Sequence, residues 1–147
     1  MTVRILADTN VLIYAIDNRD PAKRTRCRAW LSALAKASSL TISPQVLNEA
    51  HNVLRRKFAI PSVKAELVLA PWTHYCNSPL RLEETMAALA IEQRWRTSWW
   101  DALLLASAAA SRCTHFLSED LQSAPNIGGI EIVNPFAVAP EEVLGAA

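Results

Sequence analysis

A chain of 147 residues makes one domain around one core, and a composition 51% hydrophobic and 20% charged excludes an intrinsically disordered protein. A net charge of +1 excludes a general polycation, and the longest apolar runs break well short of membrane-spanning length. The start, Met1-Thr2-Val3-Arg4, enters a strand-like run with no signal-peptide core or cleavage site, and the three widely spaced cysteines, Cys27, Cys76 and Cys113, suit buried thiols in a reducing compartment, so a cytoplasmic location is expected.

In chain order, Val3–Ala7 is β-branched, apolar and too short for a helix, and predicts a first strand. Asn10–Ile16 predicts a short helix. Asp20-Pro21 has the form of an N-cap followed by proline at the first helical position, opening a helix to about Ala37 with Cys27, Trp30, Leu31 and Leu34 on one face. Leu40–Ile42 predicts a second strand. Ser43-Pro44 repeats the cap-and-proline signal and opens a helix to about Phe58. Pro61-Ser62 opens another, which Pro71 should stop or kink. Leu80-Arg81-Leu82 is a brief strand candidate, and Glu83–Arg94 and Trp99–Arg112 are helices, the second capped by Ser98. Thr114–Leu117 and Ile130–Val133 are strands, joined through the turn-prone run from Pro125 to Gly129, and the tail from Ala137 to Ala147 is small and acidic, expected to be poorly ordered. Short apolar strands alternating with helices indicate an α/β fold with a mainly parallel sheet, in which ligands gather beyond the carboxyl ends of the strands.

Four carboxylates stand against apolar segments, where a charge costs free energy unless it is paired or binds a metal. Asp8 ends the first strand, and its ordinary reading is a helix N-cap or turn residue. Glu49 flanks the apolar stripe Val46, Leu47, Ala50, Val53 and Leu54, with Gln45, Asn52 and Arg56 beside it; its ordinary reading is a boundary residue paired with Asn52 or Arg56. Asp101 lies three residues after Ser98 in the form of a capping box, but on a helix apolar almost all round, hence buried. Asp120 follows a second apolar strand as a turn residue would, and Glu119 beside it competes for the same role. No Lys or Arg nearby in sequence answers Asp8, Asp101 or Asp120. Four acids on separate elements with no local cation read as one site for a hard divalent cation, and hence as metal-dependent phosphoryl-transfer chemistry.

The residues around these acids resemble the motifs of the PIN-domain family. Leu6-Ala7-Asp8-Thr9-Asn10-Val11-Leu12-Ile13-Tyr14-Ala15 is similar to the family's opening signature, and Ser43-Pro44-Gln45-Val46-Leu47-Asn48-Glu49 to its second acidic motif. The run from Ser98 through Asp101 to Ala108 resembles the third motif; Leu117-Ser118-Glu119-Asp120-Leu121-Gln122 and Ile132–Phe136 resemble the fourth and the closing strand. The compact length looks most like the ribonuclease toxins of bacterial toxin–antitoxin pairs, the VapC type. The resemblance implies a three-layer α/β/α sandwich, a nuclease domain over residues 1–136 with 137–147 as a tail, and RNA cleavage dependent on Mg²⁺ or Mn²⁺. It also implies a small antitoxin that blocks the site, and a homodimer. Carried over by position, Asp8, Glu49, Asp101 and Asp120 are the metal-site acids, and Asn10 and Ser118 orient ligands or waters. The segment Ala59–Trp95 matches none of these motifs.

The competing chemistries are poorly supplied. His51, His74 and His115 sit in no recognisable motif, so a His–His acid/base mechanism is not expected. Three glycines and no Walker-type loop exclude a P-loop. A phosphatase with Asp8 as nucleophile would want a second Asp where Asn10 stands. Outside enzymes, the alternative is a catalytically silent PIN-like domain that only binds RNA or protein. The basic runs Arg19–Arg28, Arg55-Arg56-Lys57 and Arg94 with Arg96 could track a phosphate backbone or be solvated faces, and Trp30, Trp72, Trp95 and Trp99 could stack bases or anchor the core.

Overall fold

Ile5, Leu6 and Ala7 form β1, three consecutive residues with no exposed surface, as a strand covered by helices on both faces requires. The computed structural model describes residues 2–121 and 124–145; Gln122 of the fourth motif and Ala146 and Ala147 of the expected tail lie outside them. Asp8 caps α1 (Thr9–Ile16), and Asp20 caps α2 (Pro21–Lys36) by accepting from the Lys23 N–H at 3.1 Å. β2 is Leu40–Thr41, after which Ser43 caps α3 (Pro44–Arg56). Next come α4 (Ser62–Thr73), α5 (Leu82–Trp95) and α6 (Trp99–Ala110), then β3 (His115–Leu117), β4 (Asn126–Ile127), β5 (Ile130–Val133) and α7 (Pro140–Leu144). The strands lie in the order β2-β1-β3-β5-β4. β1 pairs in parallel with β2 and β3, and β3 with β5, so the carboxyl ends of β1 and β3 emerge side by side, Ala7 opposite Leu117. That adjacency brings Asp8 next to the segment carrying Ser118 and Asp120.

The α/β class with a mainly parallel sheet holds, and two local expectations change. Leu80-Arg81-Leu82 is not a strand. The Glu84 carboxylate reaches back to the Arg81 backbone N–H at 2.7 Å and to its guanidinium at 2.9 Å, which makes Arg81 the cap of α5. The run before Gly128 is more than a turn, because Asn126–Ile127 pairs antiparallel with β5 and edges the sheet. The expected proline stop holds: Pro71 lies inside the last turn of α4, and that helix ends two residues later. The described part of the tail carries α7. Val138, Val143 and Leu144 pack against the core, and the fully buried Trp30 indole donates to the carbonyls of Pro135 (3.1 Å) and Val138 (3.0 Å). Satisfying that buried N–H ties the segment after β5 onto α2.

The main core gathers Trp30, Phe116, Ile5, Leu6, Leu12 and Leu34 around the sheet. A smaller cluster of Ala88, Ala102, Leu103 and Ala106 joins α5 to α6, where small side chains let the backbones approach closely. Cys27 and Cys113 are buried and Cys76 is half-buried rather than buried; burial pushes the Cys27 thiol up to about 12, so it behaves as an inert core residue. No helix among the described residues is long and apolar enough to cross a membrane.

Candidate active site

Asp8 carries its ordinary role and an extra one at once. Its Oδ1 caps α1, accepting from the Thr9 N–H at 2.7 Å. Its Oδ2 accepts from the Ser118 hydroxyl at 2.7 Å and from the Asn10 amide at 3.3 Å. The residue is only 5% exposed, and burial raises its pKa from 3.8 to about 7, over the opposing effect of the bonds from Ser118 and Thr9 and with the Asp101 and Glu49 charges adding to the rise.

Asn10 is the hub. Its amide nitrogen lies 3.3 Å from Asp8 Oδ2, 3.2 Å from Ser118 Oγ and 3.3 Å from Asp120 Oδ2, so two hydrogens are shared among three acceptors. Its own Oδ1 is buried with no partner among the described residues. Ser118 Oγ also accepts from the Asp120 N–H at 3.1 Å, which fixes the turn after β3. Glu119, the rival of Asp120, is committed elsewhere: the Tyr14 hydroxyl donates to it at 2.6 Å and Lys23 lies 3.5 Å away.

Glu49 does not pair with Asn52 or Arg56. The Thr9 hydroxyl donates to its Oε2 at 2.7 Å and the Gln45 amide to its Oε1 at 2.7 Å. Gln45, one helical turn before Glu49, also donates to the Trp100 carbonyl at 3.0 Å and so ties α3 to the start of α6. At that start Ser98 accepts from the Asp101 N–H at 3.1 Å, but no bond from the Ser98 backbone returns to the carboxylate, so the capping box is half built. Burial raises the Asp101 pKa, the Ser98 hydroxyl opposes this, and the Asp120 and Glu49 charges add to the rise.

All four acids line one open cavity of about 340 Å³, with Asn10 and Lys57 also in its wall. The ion pairs among the described residues engage Asp17, Glu119, Glu84 and Glu131, and none engages these four acids. Thr9 and Gln45 were not named as site residues from the sequence, and Lys57 only as one of a basic run. Gln45 had a usable signal in its i, i+4 spacing to Glu49; the basic run marked Lys57, but its place in the wall of the acid cavity came only with the packing. His115 sits at the start of β3, bonded to Thr114 at 2.7 Å and 3.4 Å from Glu131, and no histidine lines the cavity.

The donor set suits a hard cation, being carboxylates, an amide and hydroxyls with no thiol or imidazole. Among the described residues no three His, Cys, Asp or Glu side chains close on one point. Asn10 and Ser118 stand between Asp8 and Asp120, and Glu49 is held by Thr9 and Gln45. Mg²⁺ is commonly held by one or two carboxylates while keeping several waters, so an incomplete protein cage fits it better than it would fit zinc. The orphaned Asn10 Oδ1 and the uncompensated charge at Asp8 point the same way.

The basic run at the start of α2 is largely committed to the fold. Arg19 clamps Asp17 at 2.8 Å, Arg26 and Arg28 donate to the carbonyls of Pro135 and Ala15 at 2.7 Å each, Arg24 bonds Asn18, and Lys23 sits over the Tyr14 ring at 4.6 Å. Trp30 is core; of the tryptophans, Trp100 is the one that stands out from the surface, 62% exposed.

Residues 5–124 match the PIN domain family, and the chain belongs to that family. No curated protein matches it in sequence. In structure it is similar to a chain of the VapBC2 complex from Rickettsia felis bound to a DNA fragment from its promoter, with a TM-score of 0.66 and 16% identity over 90% of this chain and 98% of that one. A chain of a toxin–antitoxin complex from Klebsiella pneumoniae is similar to the same degree, with a TM-score of 0.66 and 19% identity over 89% of this chain and 97% of that one.

Proposed function

We propose that this protein is a metal-dependent endoribonuclease, the toxin of a toxin–antitoxin pair. The observation that carries the reading is the convergence of Asp8, Glu49, Asp101 and Asp120 from four separate elements on one cavity, with no ion pair among the described residues to neutralise them. Asp8 and Asp101 would hold Mg²⁺ or Mn²⁺, with Glu49 and Asp120 beside it. When bound, the ion supplies Lewis acidity, polarising a phosphate oxygen and making water a competent nucleophile near neutral pH. The residues of the chain do the rest. Ser118 and Asn10 fix the Asp8 and Asp120 carboxylates relative to one another, and Thr9 and Gln45 hold Glu49 toward the cavity. Hydrolysis by water leaves a 5′-phosphate and a 3′-hydroxyl. Membership of the PIN family and likeness to chains of toxin–antitoxin complexes support the toxin reading and an antitoxin partner that covers the cavity. A homodimer and a cytoplasmic location belong to the same proposal.

The test is cleavage of end-labelled RNA by the purified protein in Mg²⁺ or Mn²⁺. Cutting that continues in excess EDTA, or products ending in 2′,3′-cyclic phosphate, overturns the mechanism, because the cyclic end reports attack by the ribose hydroxyl. The alternative is a PIN domain that binds RNA without cutting it. Binding of Mn²⁺ with no cleavage of any RNA would select it.

A further inference from the structure

Beside the acid cavity lies a second one of about 440 Å³ that the phosphodiester chemistry does not use. Its apolar walls are Trp100, Leu80 and Leu103, and its polar edge is Gln45, Asn48 and Asn52. Glu49 lines both cavities and is the wall between them. Helical geometry explains the pairing. On α3 the side chains of residues 45, 48, 49 and 52 share one face, while 49, 53 and 57 turn toward the acid cavity. At the start of α6, Trp100 and Asp101 are neighbours about 100° apart around the axis, so one faces each cavity.

We propose that this second cavity is a nucleobase subsite, in which the Trp100 indole stacks on the base of a nucleotide adjoining the scissile phosphate. The inference rests on the ribonuclease reading and deepens it. An apolar floor with an amide-rich edge matches a base, which has flat faces and a hydrogen-bonding rim. It does not match a phosphate, because no Lys or Arg lines the cavity and its one charged residue is Glu49. Gln45 spends its amide hydrogens on Glu49 and on the Trp100 carbonyl and is itself buried, so the hydrogen-bonding edge open to a base is the amides of Asn48 and Asn52. The same two bonds anchor the indole's backbone to the acid that separates the cavities, so a stacked base is held in a fixed relation to the reacting centre. An exposed tryptophan on a rigid helix start loses little freedom when a base covers it.

The experiment is an abasic scan. RNA oligomers carrying a single abasic ribose at each position around the cut are cleaved in Mn²⁺ by the native protein, Trp100→Ala and Trp100→Phe, with kcat and KM resolved. Removing one stacked base typically costs about ten- to a hundredfold. The native protein should lose about that factor in kcat/KM at one position next to the cut and little elsewhere. Trp100→Ala should lose the same factor on intact RNA and become indifferent to the abasic site there, while Trp100→Phe keeps most of the native rate. A flat scan with native protein overturns the subsite whatever the variants do, as does a Trp100→Ala loss that simply adds to the abasic loss. Normal cleavage by Trp100→Ala together with a lower sedimenting mass would assign the indole to a protein–protein contact instead. Failure of the native protein to cut any oligomer removes the ribonuclease reading itself, and the subsite with it, and is distinct from a flat scan.

Discussion

Two helix starts in this protein each carry a carboxylate on the third residue after the cap, and they treat it in opposite ways. At the start of α5, Glu84 is 3% exposed, receives the Arg81 N–H and guanidinium, and is held down to about 2 by those bonds, the guanidinium first. At the start of α6, Asp101 gets no return bond from the Ser98 backbone and no cation, and burial with neighbouring acids raises its pKa. Asp8, across the cavity, reaches about 7 for the same first reason. Burial therefore does not distinguish a structural acid from a functional one. What distinguishes them is whether the fold supplies the positive charge itself. Where it does, the acid stabilises the helix; where it does not, the charge is left for a ligand.

The sharpest way to break the contrast is catalytic. Asp8→Asn should lower RNA cleavage by about 10²–10⁴-fold, the loss of several kcal/mol of charge stabilisation, and should relieve any growth arrest caused by induced expression. Glu84→Gln should leave cleavage unchanged and lower the melting temperature. Equal toxicity of the Asp8→Asn variant would place the harm outside catalysis.

Stability against pH comes next. Asp8 has a folded pKa of about 7 against an ordinary 3.8, so between those values the folded protein keeps a proton that the unfolded chain has released. Its contribution favours folding below about pH 4 and is lost as pH rises through 7, a change on the order of 4 kcal/mol by the linkage relation. Glu84 works in the other direction, since its contribution is present above its ordinary 4.5 and is lost as pH falls toward 2. Thermal melts in EDTA from pH 4 to 8 should show the native protein losing stability relative to Asp8→Asn; parallel curves would mean that Asp8 is not buried without charge compensation.

Metal linkage gives a smaller effect. Mn²⁺ at about a hundred times its Kd should stabilise the native protein by about 2.7 kcal/mol, roughly 5–10 °C in Tm. Asp101→Asn should melt higher than the native protein in EDTA, because one member of a crowded acid set is neutralised, and should gain nothing from Mn²⁺. A variant that is less stable in EDTA yet still responds to Mn²⁺ would make Asp101 a cap. The smallest effect belongs to the cap itself, where Ser98→Ala should cost about 1 kcal/mol of stability.

Much of this architecture was legible without coordinates because its signals are local. Asp20-Pro21, Ser43-Pro44 and Ser98 marked helix starts that the structure places within a residue, since a cap is decided by a side chain and the N–H two or three positions on. Short, mainly apolar runs marked β1 and β3, since a strand covered on both faces has little polar side to alternate. Arg81 misled for an equally local reason: Leu80-Arg81-Leu82 alternates like a strand, and only the Glu84 carboxylate turning back made it a cap.

What the sequence by itself determined was the inventory: which acids stand against apolar segments, and which strand ends and helix starts carry them. Only the tertiary structure decided which of them meet. Parallel pairing of β1 with β3 sets Asp8 beside Ser118, and Gln45 tethers α3 to α6 so that Glu49 and Asp101 face one cavity. It also decided between Asp120 and Glu119, adjacent and chemically alike, by giving one to Asn10 and the other to Tyr14. It turned Trp100, one residue from Asp101, to the surface. Contacts between residues 40 to 110 positions apart depend on strand register and helix rotation, which are set by how the whole core packs and leave no trace in local spacing.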